Sequence, residues 1–120
     1  MALILVINEE KDSLVLAERI LASEGHNVTP FGRVKEAVEW LGEHSPDLVL
    51  ASGGRHGEKA KETVNLLKKA GIPGSKILLL TSPASLPSVR KALREEVCAV
   101  MQETADQEDL LGLVRAAVEH

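Results

Sequence analysis

Asn8, Glu9 and Glu10, Ser52, Thr81 and Glu103 each stand directly after, or just beyond, a short aliphatic run, the kind of place where a chain presents side chains for chemistry. Carboxylate oxygens at Glu9, Glu10 and Glu103 suit a hard divalent cation such as Mg²⁺ or Ca²⁺. The plainer reading is a set of solvated loop carboxylates, with Arg55 available to neutralise them. Ser52, His56 and Glu103 supply the residue types of a nucleophile, a base and an orienting acid. Ser and His this close in one loop meet by accident often, and the Gly-x-Ser-x-Gly elbow is absent. Ser52-Gly53-Gly54 resembles an anion nest of backbone amides. It lacks the Gly-Lys-Ser/Thr that follows in a phosphate loop, and glycines after a strand commonly just make the turn. The residues therefore predict no catalytic group, no cofactor and no firm metal site, Glu9 and Glu10 being the weak candidates.

These positions depend on the elements that carry them. Leu3 to Ile7, Leu48 to Ala51, Ile77 to Leu80 and Val97 to Met101 are almost continuously apolar and of strand length, as strands covered on both faces are; His26 to Thr29 is a weaker one. Segments with helical spacing lie between them. Asp12 or Ser13 can cap a first helix with an apolar stripe of Leu14, Ala17, Leu21, Leu16 and Ile20, ended by Gly25. Val34, Ala37, Val38 and Leu41 mark a second, which Pro46 bars from continuing. Ala60, Val64 and Leu67 mark a third from about Glu58 to Ala70, ending at Gly71, with Lys68 and Lys69 complementing its dipole. A fourth begins near Pro87 with Val89 and Leu93 inward. Asp106 caps a fifth whose stripe is Leu110, Leu113, Val114 and Ala117.

Five alternations of strand and helix in 120 residues imply an α/β domain, a doubly wound parallel sheet of order 2-1-3-4-5 spanning residues 1–120. In such a sheet the functional crevice lies outside the carboxyl ends of the strands, near the switch point between the first and third. The chemistry-bearing residues named above fall there.

Composition narrows the field. With one Phe, one Trp and no Tyr, the chain has no platform of rings for stacking single strands or sugars. Eighteen acidic residues against 14 basic, net −4, disfavour nucleic acid. No apolar run approaches the roughly 20 residues of a membrane span, and Met1 to Ile7 has no basic leader segment. The single Cys98 excludes an internal disulfide and fits a reducing cytoplasm; inside an apolar strand it is most simply a small core residue.

ILVINEEKD (4–12), PDLVLAS (46–52), KILLLTS (76–82) and AVMQET (99–104) resemble, in order and spacing, the receiver domains of bacterial two-component response regulators, a flavodoxin-like fold of which the chemotaxis regulator is the single-domain type. The likeness spans the chain. Receivers carry an acidic pair after strand one, a phosphoaccepting Asp ending strand three, a Thr or Ser ending strand four and a Lys before Pro after strand five. The positions here are Asn8 and Glu9, Ser52, Thr81, and Glu103 before Thr104. In the family the strand-three carboxylate attacks phosphorus while Mg²⁺ neutralises the phosphoryl oxygens. Ser52 removes both nucleophile and metal ligand, because a neutral hydroxyl needs a base. Glu103 puts an anion where the family's cation would hold phosphate. The aromatic that rotates in receivers that switch corresponds to Val100, which packs in one way.

The resemblance thus implies a degenerate pseudo-receiver, not an enzyme, whose function lies in a surface for a signalling component or an attached effector; self-association stays open. The family's usual face points to the basic cluster Arg90, Lys91 and Arg94, which reads equally as a solvated helix face, as the acidic Asp106, Glu108 and Asp109 do. The alternatives are a regulator phosphorylated on a different acceptor such as Ser52, and, more remotely, a small hydrolase or ligand carrier. Trp40, at the margin of the second helix's stripe, suits either an interface or half-buried packing.

Overall fold

The continuous aliphatic runs become strands buried from both sides. In the computed structural model, which describes residues 2–54, 57–103 and 106–119, β1 is Leu3–Ile7, β2 Asn27–Phe31, β3 Leu48–Ser52, β4 Ile77–Thr81 and β5 Ala99–Gln102. The helices are α1 (Lys11–Ser23), α2 (Val34–Leu41), α3 (Ala60–Lys69), α4 (Leu86–Leu93) and α5 (Gln107–Glu119), with a 3-10 turn at Gly74–Lys76 leading into β4. All pairings are parallel and the order is β2-β1-β3-β4-β5, as the alternation predicts.

Each strand sends alternate residues to opposite faces. Leu5, Ile7, Val49, Ala51, Ile77 and Leu79 pack against Ala37 and Leu41 of α2, Val64 and Leu67 of α3, and Val89 and Leu93 of α4. Ile4, Val6, Leu48, Leu50 and Leu78 pack against Leu21 of α1 and Leu111, Val114 and Ala117 of α5. Burying a Leu or Ile side chain in this way contributes about 1.5–3 kcal/mol, so the two layers fix the sheet, and the sheet fixes the loops at its carboxyl end. Gly25 and Gly71 stop α1 and α3 at φ +86 and +98, the left-handed backbone for which glycine carries no Cβ penalty.

Several boundaries move. Helix α1 starts at Lys11, and the Ser13 hydroxyl, expected with Asp12 as a cap, instead donates to the Glu10 carboxylate at 3.2 Å. Helix α3 starts at Ala60, and α4 at Leu86 with Pro87 second. Strand β2 runs on through Pro30 to Phe31, which an edge strand tolerates. Leu16 and Leu113, expected to face inward, are 55% and 36% exposed; Leu111 takes the inward place in α5. Cys98 is also corrected: it precedes β5 and is exposed, while its neighbour Val97 is buried in the core. Among the described residues no helix is long and apolar enough to cross a membrane.

Candidate functional site

The carboxyl ends of β1 and β3 and the loop after β2 enclose a cleft of about 730 Å³. It brings together Asn8, Glu9, Glu10, Ser52 and Glu103, the positions expected from sequence. Thr81 is not on its wall: the side chain is fully buried, and among the described residues its Oγ1 has no hydrogen-bond partner. Arg55, His56 and Thr104 lie outside the described residues, and with them the proposed neutralising role of Arg55 and the base of the Ser-His-Glu reading.

Asn8 is buried, its N–H donating to the carbonyl of Phe31 at 3.0 Å and its Oδ1 accepting the N–H of Glu10 at 2.9 Å. An Asx turn of this kind shapes the β1–α1 loop from within. Ser52, the last residue of β3, is half-buried, and its Oγ accepts the N–H of Gly54 at 3.3 Å. The Gly53 N–H donates to the carbonyl of Leu80 at 2.8 Å. The Gly53 and Gly54 amides of the nest reading are therefore engaged within the chain. Glu103 is exposed at the rim, held by its own N–H on the carbonyl of Thr81 at 2.8 Å.

Glu9 has a partner that sequence reasoning missed. Lys59, the residue before α3, donates from Nζ to Glu9 Oε1. The backbone of Lys59 is fixed on both sides, its N–H on the carbonyl of Gly53 at 3.0 Å and its carbonyl accepting the N–H of Thr63 at 2.9 Å. The hydrogen bond to Glu9 is the main cause that holds the ammonium above its ordinary pKa; the nearby Glu58 and Glu62 add to it. A Lys stands here where helices favour Ser, Thr, Asp or Asn, at the end whose dipole repels a cation, but a helix read from about Glu58 places it inside the first turn and hides that signal.

The divalent ion that receivers hold does not fit these residues. One Glu9 oxygen is paired with an ammonium, the Asn8 oxygen accepts an amide, one Glu10 oxygen accepts the Ser13 hydroxyl, and the neutral Ser52 oxygen accepts the Gly54 amide where a metal-binding carboxylate would be needed. Among the described residues no group of three His, Cys, Asp or Glu side chains is placed to hold a metal.

Val100 is 7% exposed and packs in the core beside Val89 and Leu93. Pro87, Arg90, Lys91 and Arg94 line a shallow groove of about 420 Å³ on α4. Trp40 is half-buried, 6.1 Å from the Phe31 ring and stacked on His44 at 4.3 Å, a packing role at the core margin.

No model of a known protein family matches the chain, and no curated protein does. Solved structures do match. A response regulator receiver domain protein from Clostridium thermocellum superposes with a TM-score of 0.81 at 21% identity, over 99% of this chain and 95% of that one. The fold is the receiver fold. A response regulator receiver protein from Burkholderia phymatum gives 0.82 at 16% identity, covering 99% and 96% of the two chains. The N-terminal domain of a three-domain response regulator/sensory box/GGDEF protein from Carboxydothermus hydrogenoformans gives 0.73 at 23% identity, covering 98% and 94%. On the receiver fold, the cleft of this chain sits at the carboxyl end of the sheet, where the topology places ligand chemistry.

Proposed function

We propose that this chain is a receiver-type signalling domain that recognises a protein partner and is not switched by aspartyl phosphorylation. One observation carries the reading: the end of β3 presents the neutral hydroxyl of Ser52, already accepting the Gly54 amide, and no ionised carboxylate. Glu103 supports it, since an anion at the rim repels a phosphoryl group. So does Val100, a core residue with no rotamer to switch. The partner is a separate signalling component or an attached effector, and the Carboxydothermus protein illustrates the second arrangement with its three domains. The surface assigned to it is the α4 ledge of Lys91 and Arg94, exposed beside Pro87.

Incubation with acetyl phosphate and Mg²⁺ followed by intact-mass measurement tests the reading. An unchanged mass is expected, together with backbone NMR signals that do not move on adding beryllofluoride. Stoichiometric acid-labile phosphate, or a phosphoryl group on Ser52, would overturn it and favour regulation through an unorthodox acceptor. Among the described residues only the Gly54 amide hydrogen-bonds the Ser52 oxygen, so steady ester hydrolysis lost in Ser52→Ala is likewise an unexpected result.

A further inference from the structure

We propose that Lys59 is a built-in counter-ion: its ammonium takes the charge-balancing place at the cleft that a bound divalent cation would otherwise fill, and latches the β1–α1 loop to the start of α3. Glu9, Glu10, Glu62 and Glu103 all face this one cleft. Carboxylates lining one cleft repel one another unless a cation stands among them. Arg33 and Lys35 line the cleft as well, but neither makes an ion pair among the described residues. Lys59 does, with Glu9, across 50 positions of sequence.

The placement runs against local preference. A cation before the first turn of a helix opposes the dipole, and a Lys side chain cannot accept the free amide protons there. The side chain does not cap α3 at all; it reaches over to the loop after β1. Its anchor is firm, because the Lys59 backbone is hydrogen-bonded to Gly53 on one side and Thr63 on the other, and Thr63 is buried. The loop it holds is firm too, through Asn8 and Glu10. One covalently tethered charge thereby joins the loop after β1 to the start of α3 without a metal.

The inference rests on the reading of this chain as a receiver-type domain lacking the ordinary acceptor, yet it fails separately. Phosphate on Ser52 would sink that reading and leave the following comparison untouched. Backbone NMR spectra of the whole chain are titrated with Mn²⁺, whose paramagnetism broadens nearby amides, using Glu108 and Asp109 at the acidic start of α5 as internal reference. In the native chain Asn8, Glu9 and Glu10 should broaden no more than the reference. In Lys59→Met they should broaden selectively, and the Glu10 amide should exchange with solvent about two- to fivefold faster, the range of a lost exposed ion pair. Lys59→Arg, which keeps the charge, should restore both. Selective broadening at Asn8–Glu10 in the native chain overturns the proposal. So does a Lys59→Met chain unchanged in both readouts.

Discussion

The guanidinium of Arg90 donates from Nη2 to the carbonyl of Val100 at 3.1 Å, tying α4 to the edge strand β5. Arg90 is thus partly a structural residue, although it shares the basic ledge with Lys91 and Arg94. An edge strand offers unpaired main-chain groups to other chains, and a side chain bonded to one of them blunts that hazard.

The three basic residues should therefore separate by stability. Arg90→Glu loses the hydrogen bond and sets a carboxylate against a carbonyl oxygen. It should lower unfolding free energy by about 0.5–1.5 kcal/mol in urea titration. Lys91→Glu and Arg94→Glu, whose exposed side chains make no hydrogen bond among the described residues, should stay within about 0.5 kcal/mol of the native chain. If partner capture is lost in Lys91→Glu and Arg94→Glu while their stability is native, the loss belongs to recognition. Unchanged capture by both would remove the α4 ledge from the proposed function.

Two glycines should respond in opposite directions to the same substitution. A Cβ on Gly74 would stand 2.2 Å from the carbonyl oxygen of Glu96, a main-chain atom that can yield only by moving the loop before β5. Gly74→Ala should cost about 1–3 kcal/mol. Gly112 lies inside α5, exposed, and a Cβ added there would meet nothing within 4 Å. Gly112→Ala should stabilise the chain by up to about 1 kcal/mol through helix propensity alone. Thermal and urea unfolding of the pair checks both signs.

Thr81 is fully buried, and among the described residues no group satisfies its Oγ1, whereas Val has nearly the same shape and nothing to satisfy. A buried polar group without a partner costs about 1–3 kcal/mol by mutational measures. Thr81→Val should accordingly raise stability, by about 1 kcal/mol or more, and Thr81→Ser should lower it by leaving the hydroxyl and removing a methyl. A loss of stability in Thr81→Val would show that the hydroxyl finds a partner in solution.

The strands and their order were legible because continuous Leu, Ile and Val runs have few other uses in so small a chain. Where the pattern was ambiguous, tertiary packing decided. Leu110, Leu111 and Leu113 crowd the same turns of α5, and only the angle at which the helix meets the sheet selects Leu111 over Leu113. Val97 looked like strand because it is apolar, yet it is buried from the loop, and β5 opens two residues later, leaving Cys98 outside. The cleft residues of β1, β3 and β5 were legible from position alone. Lys59 was not, since its partner Glu9 is brought near only by the pairing of β1 with β3.

The Lys68–Glu96 pair gives the chain an acid-side dependence that can be isolated. Lys68 Nζ donates to Glu96 Oε1 at 2.8 Å, joining α3 to the loop before β5, and this hydrogen bond is the main reason the Glu96 carboxyl sits below its ordinary value. A carboxyl whose folded pKa is lowered stabilises the fold above its unfolded pKa, and that contribution fades as pH falls through the folded value. Glu96→Gln should therefore be less stable than the native chain near neutrality, and the two should converge as pH drops below the ordinary Glu range. Because both side chains are partly exposed, salt should shrink the neutral-pH difference. Urea midpoints of the two chains from about pH 7 down to about pH 3, at low and at molar salt, measure it; curves that stay parallel throughout would mean that ionisation of Glu96 is not linked to folding.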